Sequence, residues 1–202
     1  MVKKNTEGVK GFKELLKTLE PYVKNFEKIL KKESVPGFQL DPGEIWGNWL
    51  LCSVLRKNIS GKITFKDQPK AEGDGIIIFP NGDEFQTEHV SATDNPFAPQ
   101  KKPLGSKRII QAIETKIKKN YSDADKIALV VFTDGAREWF RPEVRLAING
   151  RHNFHRVFLV ALLTNDQNGL AYSVTQLLEH DSITFRVQIN PKFDHWSIIK
   201  MQ

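Results

Sequence analysis

Gly73-Asp-Gly-Ile-Ile-Ile-Phe-Pro-Asn-Gly-Asp-Glu-Phe-Gln-Thr-Glu-His-Val90 is the stretch on which the fold turns. Gly75 to Phe79 is a short, β-branched apolar run, and Pro80-Asn81-Gly82-Asp83 carries turn chemistry with a glycine suited to positive φ. Phe85 to Ala92 then resumes in extended form. The reading is two strands and a tight turn, with acids where apolar residues would be expected. Asp74 stands at the mouth of the first strand. Gln86 and Glu88 share one face of the second, because strand side chains alternate with period two. If the strands pair, three oxygen-bearing side chains converge on one spot, an arrangement that suits a divalent cation.

Upstream, residues 8 to 33 carry Phe12, Leu15, Leu16, Leu19, Tyr22, Val23, Phe26, Ile29 and Leu30 at helical spacing with lysines between them. Pro21 is expected to split or kink this helical region. After the Pro36-Gly37 linker, Asp41-Pro-Gly-Glu44 opens a second helix reaching about Asn58. Asp41 suits the N-cap, Pro42 the first helical position and Glu44 the third place of a capping box. Residues 61 to 67 alternate like a further strand.

Downstream, residues 91 to 105 form a long Pro-rich loop, and Ser106 is expected to cap a helix from Lys107 to about Lys119. Ile127 to Phe132 and Val157 to Leu163 are continuous apolar runs, as in strands buried on both faces. A short helix is expected over 137 to 148. Leu170 to Leu178 and Ile183 to Ile189 read as two strands, or as a strand and a short helix. The fold class is α/β, a mixed central sheet flanked by helices. Residues 1–35 form an N-terminal helical extension, and 36–202 the α/β domain.

The 202 residues are enough for one sizeable core, and 40% apolar with 27% charged content describes an ordinary globular chain. No apolar run approaches the roughly 20 residues of a membrane span, so no membrane partner is expected. Met1 to Glu7 holds no secretion signal and Cys52 is the only cysteine, so the cytoplasm is the expected location. The net charge of +6 favours polyanionic partners, nucleic acid first among them.

A helix with an early acid (Glu44), a strand opening on Asp74, a strand carrying Gln86-Thr-Glu88, a helix and a buried strand follow one another. This order resembles the PD-(D/E)XK nuclease superfamily, whose restriction-endonuclease-like core runs αβββαβ; the resemblance covers roughly residues 41 to 165. It implies phosphodiester hydrolysis in DNA with Mg²⁺ (or Mn²⁺). Asp74 would be the main metal-binding carboxylate. Glu88 would be the second acid or the occupant of the usual lysine place, and Glu44 the acid that some members contribute from the first helix. Double-strand cutting would call for a homodimer.

The chain departs from the superfamily pattern. Gly73 stands where the motif has proline, and the motif lysine is missing. With Glu88 as the second acid its place is Val90; otherwise Gln86 and Glu88 fill both places. Lys107, Lys101 or Lys102 could move in instead. Without a replacement, the same fold would be an inactive nucleic-acid-binding protein, and a third reading is a protein-interaction subunit.

Each candidate also has a plain structural role. Asp74 sets a strand entry, Glu88 pairs with a lysine and Glu44 closes the capping box. His89 points away from Glu88 and is expected to be packed or surface-exposed. Thr133-Asp134-Gly135 ends a buried strand, where open sheets bind ligands. His152, His155, His180 and His195 lack zinc spacing, and Cys52 belongs to a core helix. The chain holds no phosphate-loop or dinucleotide motif.

Overall fold

Apolar periodicity and turn chemistry place most of the elements seen in the computed structural model, which describes residues 11–67, 73–92 and 103–201. In chain order these are α1 (Phe12–Val23), α2 (Phe26–Leu30), α3 (Pro42–Asn58), β1 (Thr64–Lys66), β2 (Ile76–Ile78) and β3 (Glu84–Ser91). They continue as α4 (Ser106–Ile117), β4 (Ile127–Phe132), α5 (Arg141–Ile148), β5 (Arg156–Asp166), β6 (Gly169–Leu177), β7 (Ser182–Ile189) and β8 (Trp196–Lys200). Most of the 91–105 loop and residues 8–10 of the N-terminal helical region lie outside the described residues.

One eight-stranded sheet holds the strands in chain order, β1 to β8. β1–β2 and β2–β3 pair antiparallel, β3–β4 and β4–β5 parallel, and the last four strands form an antiparallel meander. The expected β2–β3 hairpin forms, with Ile76 opposite Gln86 and Ile78 opposite Glu84. The mixed sheet is the expected α/β class. Both segments between 170 and 189 are strands, and Trp196–Lys200 is a further one.

Helices cover both faces. α3 carries Ile45, Trp46, Trp49 and Leu50 into a core shared with α1 and with Phe65, Ile77, Phe158, Tyr172 and Val187 of the sheet. Trp46 and Trp49 stack at 5.2 Å, and Trp49 meets Trp196 edge-on at 5.1 Å. The opposite core joins Ile109 and Ile113 of α4 and Val144 and Ile148 of α5 to Leu129, Val131, Val157 and Leu159. Among the described residues, no helix is long and apolar enough to cross a membrane.

Two local expectations change. Pro21 lies inside α1 near its end, and the break falls at Lys24–Asn25, where the Asn25 side chain accepts from Glu27 N and caps α2. Gly105 rather than Ser106 is the N-cap of α4. Gly105 has φ +62, and a side chain there would meet the Glu138 carbonyl at 2.7 Å. Ser106 Oγ instead accepts from Phe140 N at 3.0 Å, tying α4 to the start of α5.

Candidate active site

Asp74 sits in a bend just before β2 and extends its ladder, donating its N–H to Thr87 O (3.0 Å), while Thr87 N donates to Gly75 O (2.8 Å). Asp74 and Gly75 thus both bond Thr87, two residues against one, just beyond the regular register that ends at Ile76 opposite Gln86. Asn48, fully buried on α3, donates from Nδ2 to Asp74 O at 2.8 Å. Gly75 has φ +132, and a side chain there would collide with Asn48 Nδ2 at 2.3 Å. Asn48 and Gly75 therefore set the Asp74 backbone together. Nothing in the local pattern separates Asn48 from its apolar neighbours except that it is polar.

The Asp74 carboxylate turns toward β3, where Oδ2 accepts from His89 N at 2.6 Å. His89 Nδ1 lies 3.6 Å from the same oxygen, beyond a full hydrogen bond, and among the described residues both buried ring nitrogens lack a hydrogen-bond partner. As expected, His89 faces away from Glu88, and of the two expected placements it takes the packed one, against Gly47 of α3 and Phe132. Burial would raise the Asp74 carboxyl. The His89 ring, the His89 N–H and the Lys116 charge outweigh it and hold the group at about 2.

Glu44 closes the capping box expected of it, with Oε2 accepting from Asp41 N at 2.8 Å. Burial, and then the Asp74 charge, push its carboxyl upward, against the pull of the Asp41 N–H and of His89. Beside it, Glu44, His89, Asp134, Trp46, Phe132 and Tyr172 contribute to a pocket of about 300 Å³. Asp134 follows β4, its Oδ1 accepts from Leu162 N at 2.5 Å, and burial raises it to about 6.

Glu88 takes the other face of the sheet. Its Oε2 accepts from Lys116 Nζ at 2.5 Å and from Tyr121 OH at 2.9 Å. The Glu88 and Lys116 side chains are only 12% and 11% exposed. Burial, then the Glu88 bond and charge and the Asp74 charge, drive the Tyr121 phenol up, so it donates as a neutral hydroxyl. Gln86 is half-buried on the Glu88 face, with no side-chain hydrogen bond among the described residues.

Lys116 is the cation that the motif reading misses. Lys107 stands exposed at the other end of α4, roughly 13 Å away along the axis, and Lys101 and Lys102 lie outside the described residues. The signal was present in the pattern. Ile109, Ile113 and Lys116 follow one another at spacings of four and three, so a lysine occupies the inward stripe of the helix.

The expected convergence of Asp74, Gln86 and Glu88 is not a preformed ligand cluster. Among the described residues, no three His, Cys, Asp or Glu side chains are grouped to hold an ion. Each acid is drawn elsewhere: Asp74 to the His89 N–H, Glu88 to Lys116 and Tyr121, and Glu44 to the Asp41 N–H. The donor set still suits a hard cation that keeps several waters and needs one or two carboxylates. Only Oδ2 of Asp74 and Oε2 of Glu88 are engaged in hydrogen bonds among the described residues, which leaves one oxygen on each acid. Comparison of the chain with protein-family models, with curated proteins and with solved structures returns no match in any of the three.

Proposed function

We propose that the protein is a metal-dependent nuclease hydrolysing phosphodiester bonds in DNA, built on a restriction-endonuclease-like core. The observation that carries this reading is Lys116 of α4 meeting Glu88 at 2.5 Å, on the strand whose His89 N–H holds Asp74, with the Lys116 charge reaching Asp74 as well. A lysine thus joins two acids although β3 itself has Val90 in the lysine place. The element order α3-β1-β2-β3-α4-β4 supports the same core.

Asp74 and Glu88 would hold Mg²⁺ (or Mn²⁺), with Glu44 as the third acid on the Asp74 side. When bound, the ion polarises the phosphate and lowers the pKa of a water. Asp74, held at about 2, is ionised throughout the neutral range. Lys116 has three N–H donors and directs one at Glu88, leaving two for a phosphate oxygen as charge builds up there. Tyr121 keeps the second hydrogen bond to Glu88 and fixes its rotamer.

Supercoiled and linear DNA incubated with the protein and Mg²⁺ or Mn²⁺ tests the reading, with Asp74→Ala and Lys116→Met as controls. Wild type is expected to cut and both variants to fail. No cutting by wild type, or equal cutting by Asp74→Ala, refutes it. The closed pairing of Glu88 with Lys116 and Tyr121 favours one competitor, a DNA-binding protein without catalysis. Salt-dependent retention of DNA without cleavage is its signature.

A further inference from the structure

A second pocket, of about 410 Å³, opens where α5 ends and β5 begins, away from the acids described above. Its lining includes Arg145 of α5, Asn149, His152 and His155 of the connection, Arg156 at the first position of β5, and Gln176 of β6.

Arg156 sets this pocket apart. It is half-buried, yet among the described residues its guanidinium makes no hydrogen bond and no ion pair. Burial works against its charge. A partly desolvated cation without a partner is unfavourable, and an anion in the pocket would relieve it. Arg145 directs Nη1 at Glu179 O (2.9 Å), which leaves four of its five N–H donors. Glu179, the acid of the lining, is 72% exposed, with Oε1 3.6 Å from His180 Nε2. Among the described residues, His152 Nδ1 is buried without a hydrogen-bond partner. Burial, and then the Arg156 charge, push the His155 imidazole down, with Asp125 opposing them. The lining therefore holds two guanidinium groups, two imidazoles and two side-chain amides against one outward-facing carboxylate.

We propose that this pocket is an anion site that takes a phosphate group, with Arg156 and Arg145 as the charged donors. Guanidinium forks match tetrahedral oxyanions bidentately, which a lysine cannot do. The phosphate belongs either to a free phosphorylated small molecule or to the backbone of a nucleic acid strand; the chemistry of recognition is shared. A chain of side chains links the site to the acids. The His152 and Phe154 rings are 5.8 Å apart, Phe154 and Tyr121 6.0 Å, and Tyr121 OH is 2.9 Å from Glu88. The inference goes beyond the cleavage reading and does not depend on it.

The test uses the full-length wild-type protein in chelator, so that cleavage plays no part. Inorganic phosphate, adenosine 5′-monophosphate and a short single-stranded oligonucleotide are titrated in turn, following the His152, His155 and Arg156 side-chain NMR signals. Saturable shifts of these signals are expected, with affinity falling about tenfold or more in Arg156→Gln and partly restored in Arg156→Lys. Thermal unfolding of both variants shows that the fold is intact. Equal response to phosphate and mononucleotide, with no gain for the oligonucleotide, assigns a free phosphate. Tighter oligonucleotide binding, with a salt slope reduced by about one in Arg156→Gln, assigns a strand. No shift with any of the three probes, shifts only elsewhere, or unchanged affinity in Arg156→Gln overturns the proposal.

Discussion

Gly47 and His89 are fitted to one another: a β-carbon on Gly47 would lie 2.6 Å from His89 Nε2 and 2.7 Å from Cδ2, with Phe132 Cζ at 3.2 Å. A glycine inside a helix is ordinarily unfavourable by about 1 kcal/mol relative to alanine. Here it makes room for a histidine whose side chain is 6% exposed and whose backbone N–H holds Asp74.

Gly47→Ala is therefore expected to reverse the usual sign. It should destabilise by about 1–3 kcal/mol through overpacking, rather than stabilise through helix propensity. His89→Ala in the same chain should recover most of that loss. Urea unfolding of the two single variants and the double variant gives the coupling, and additive effects would rule out the fit.

Lys116→Met leaves Glu88 buried with only the Tyr121 hydroxyl for company. The expected loss is about 3–5 kcal/mol, the range for removing one partner of a buried pair. Lys116→Met with Glu88→Leu should regain most of it. If the nuclease reading holds, Glu88→Gln, which keeps the shape of the side chain, loses at least about a hundredfold in cleavage rate while staying folded. Chemical denaturation and a cleavage time course separate the two effects.

Asp134 gives a pH dependence of a definite sign. Its folded-state value is raised to about 6 by burial, against an ordinary value near 3.9 in the unfolded chain. Between these values the folded state keeps a proton that the unfolded state has released, so stability falls as pH rises from about 4 to about 6. Asp134→Asn can still accept from Leu162 N and has no such dependence. Relative to wild type it should gain about 2 kcal/mol across that window and keep the gain at pH 7. Parallel unfolding curves at pH 4 and pH 7 would refute this.

Glu44 combines a capping role with its place beside Asp74, and two substitutions separate them. Glu44→Gln keeps an acceptor for Asp41 N and removes a charge that burial and Asp74 both disfavour, so stability at pH 7 should hold or rise. Glu44→Ala loses the cap, at about 1 kcal/mol. If Glu44 joins the metal centre, both variants need more Mg²⁺ for half-maximal cleavage. A Mg²⁺ requirement unchanged in Glu44→Gln confines the residue to capping.

Local chemistry was legible in the sequence. Pro80-Asn81-Gly82-Asp83 marks the hairpin, Asp41 and Glu44 the start of α3, and Ile127 to Phe132 a strand buried on both faces. Contacts formed by packing two elements were not. Lys116 and Glu88 are 28 positions apart, on a helix and a strand, and Lys107 is chemically identical and nearer the expected place. Asn48 bonds a backbone carbonyl 26 residues away, a target with no residue signature. Arg156 looks like any basic residue opening a strand, and only the folded chain shows it without a hydrogen bond or ion pair among the described residues.

The placement of Trp49 against Trp196 bears on how the chain comes off the ribosome. Synthesis delivers the N-terminal elements first, but the α3 tryptophans are covered by the far end of the sheet, Trp46 by Tyr172 of β6 and Trp49 by β8. Until those strands emerge, the tryptophan-bearing helix α3 has only part of its cover. The nascent chain therefore holds an indole surface whose cover is completed only when the last strand of the sheet has been made.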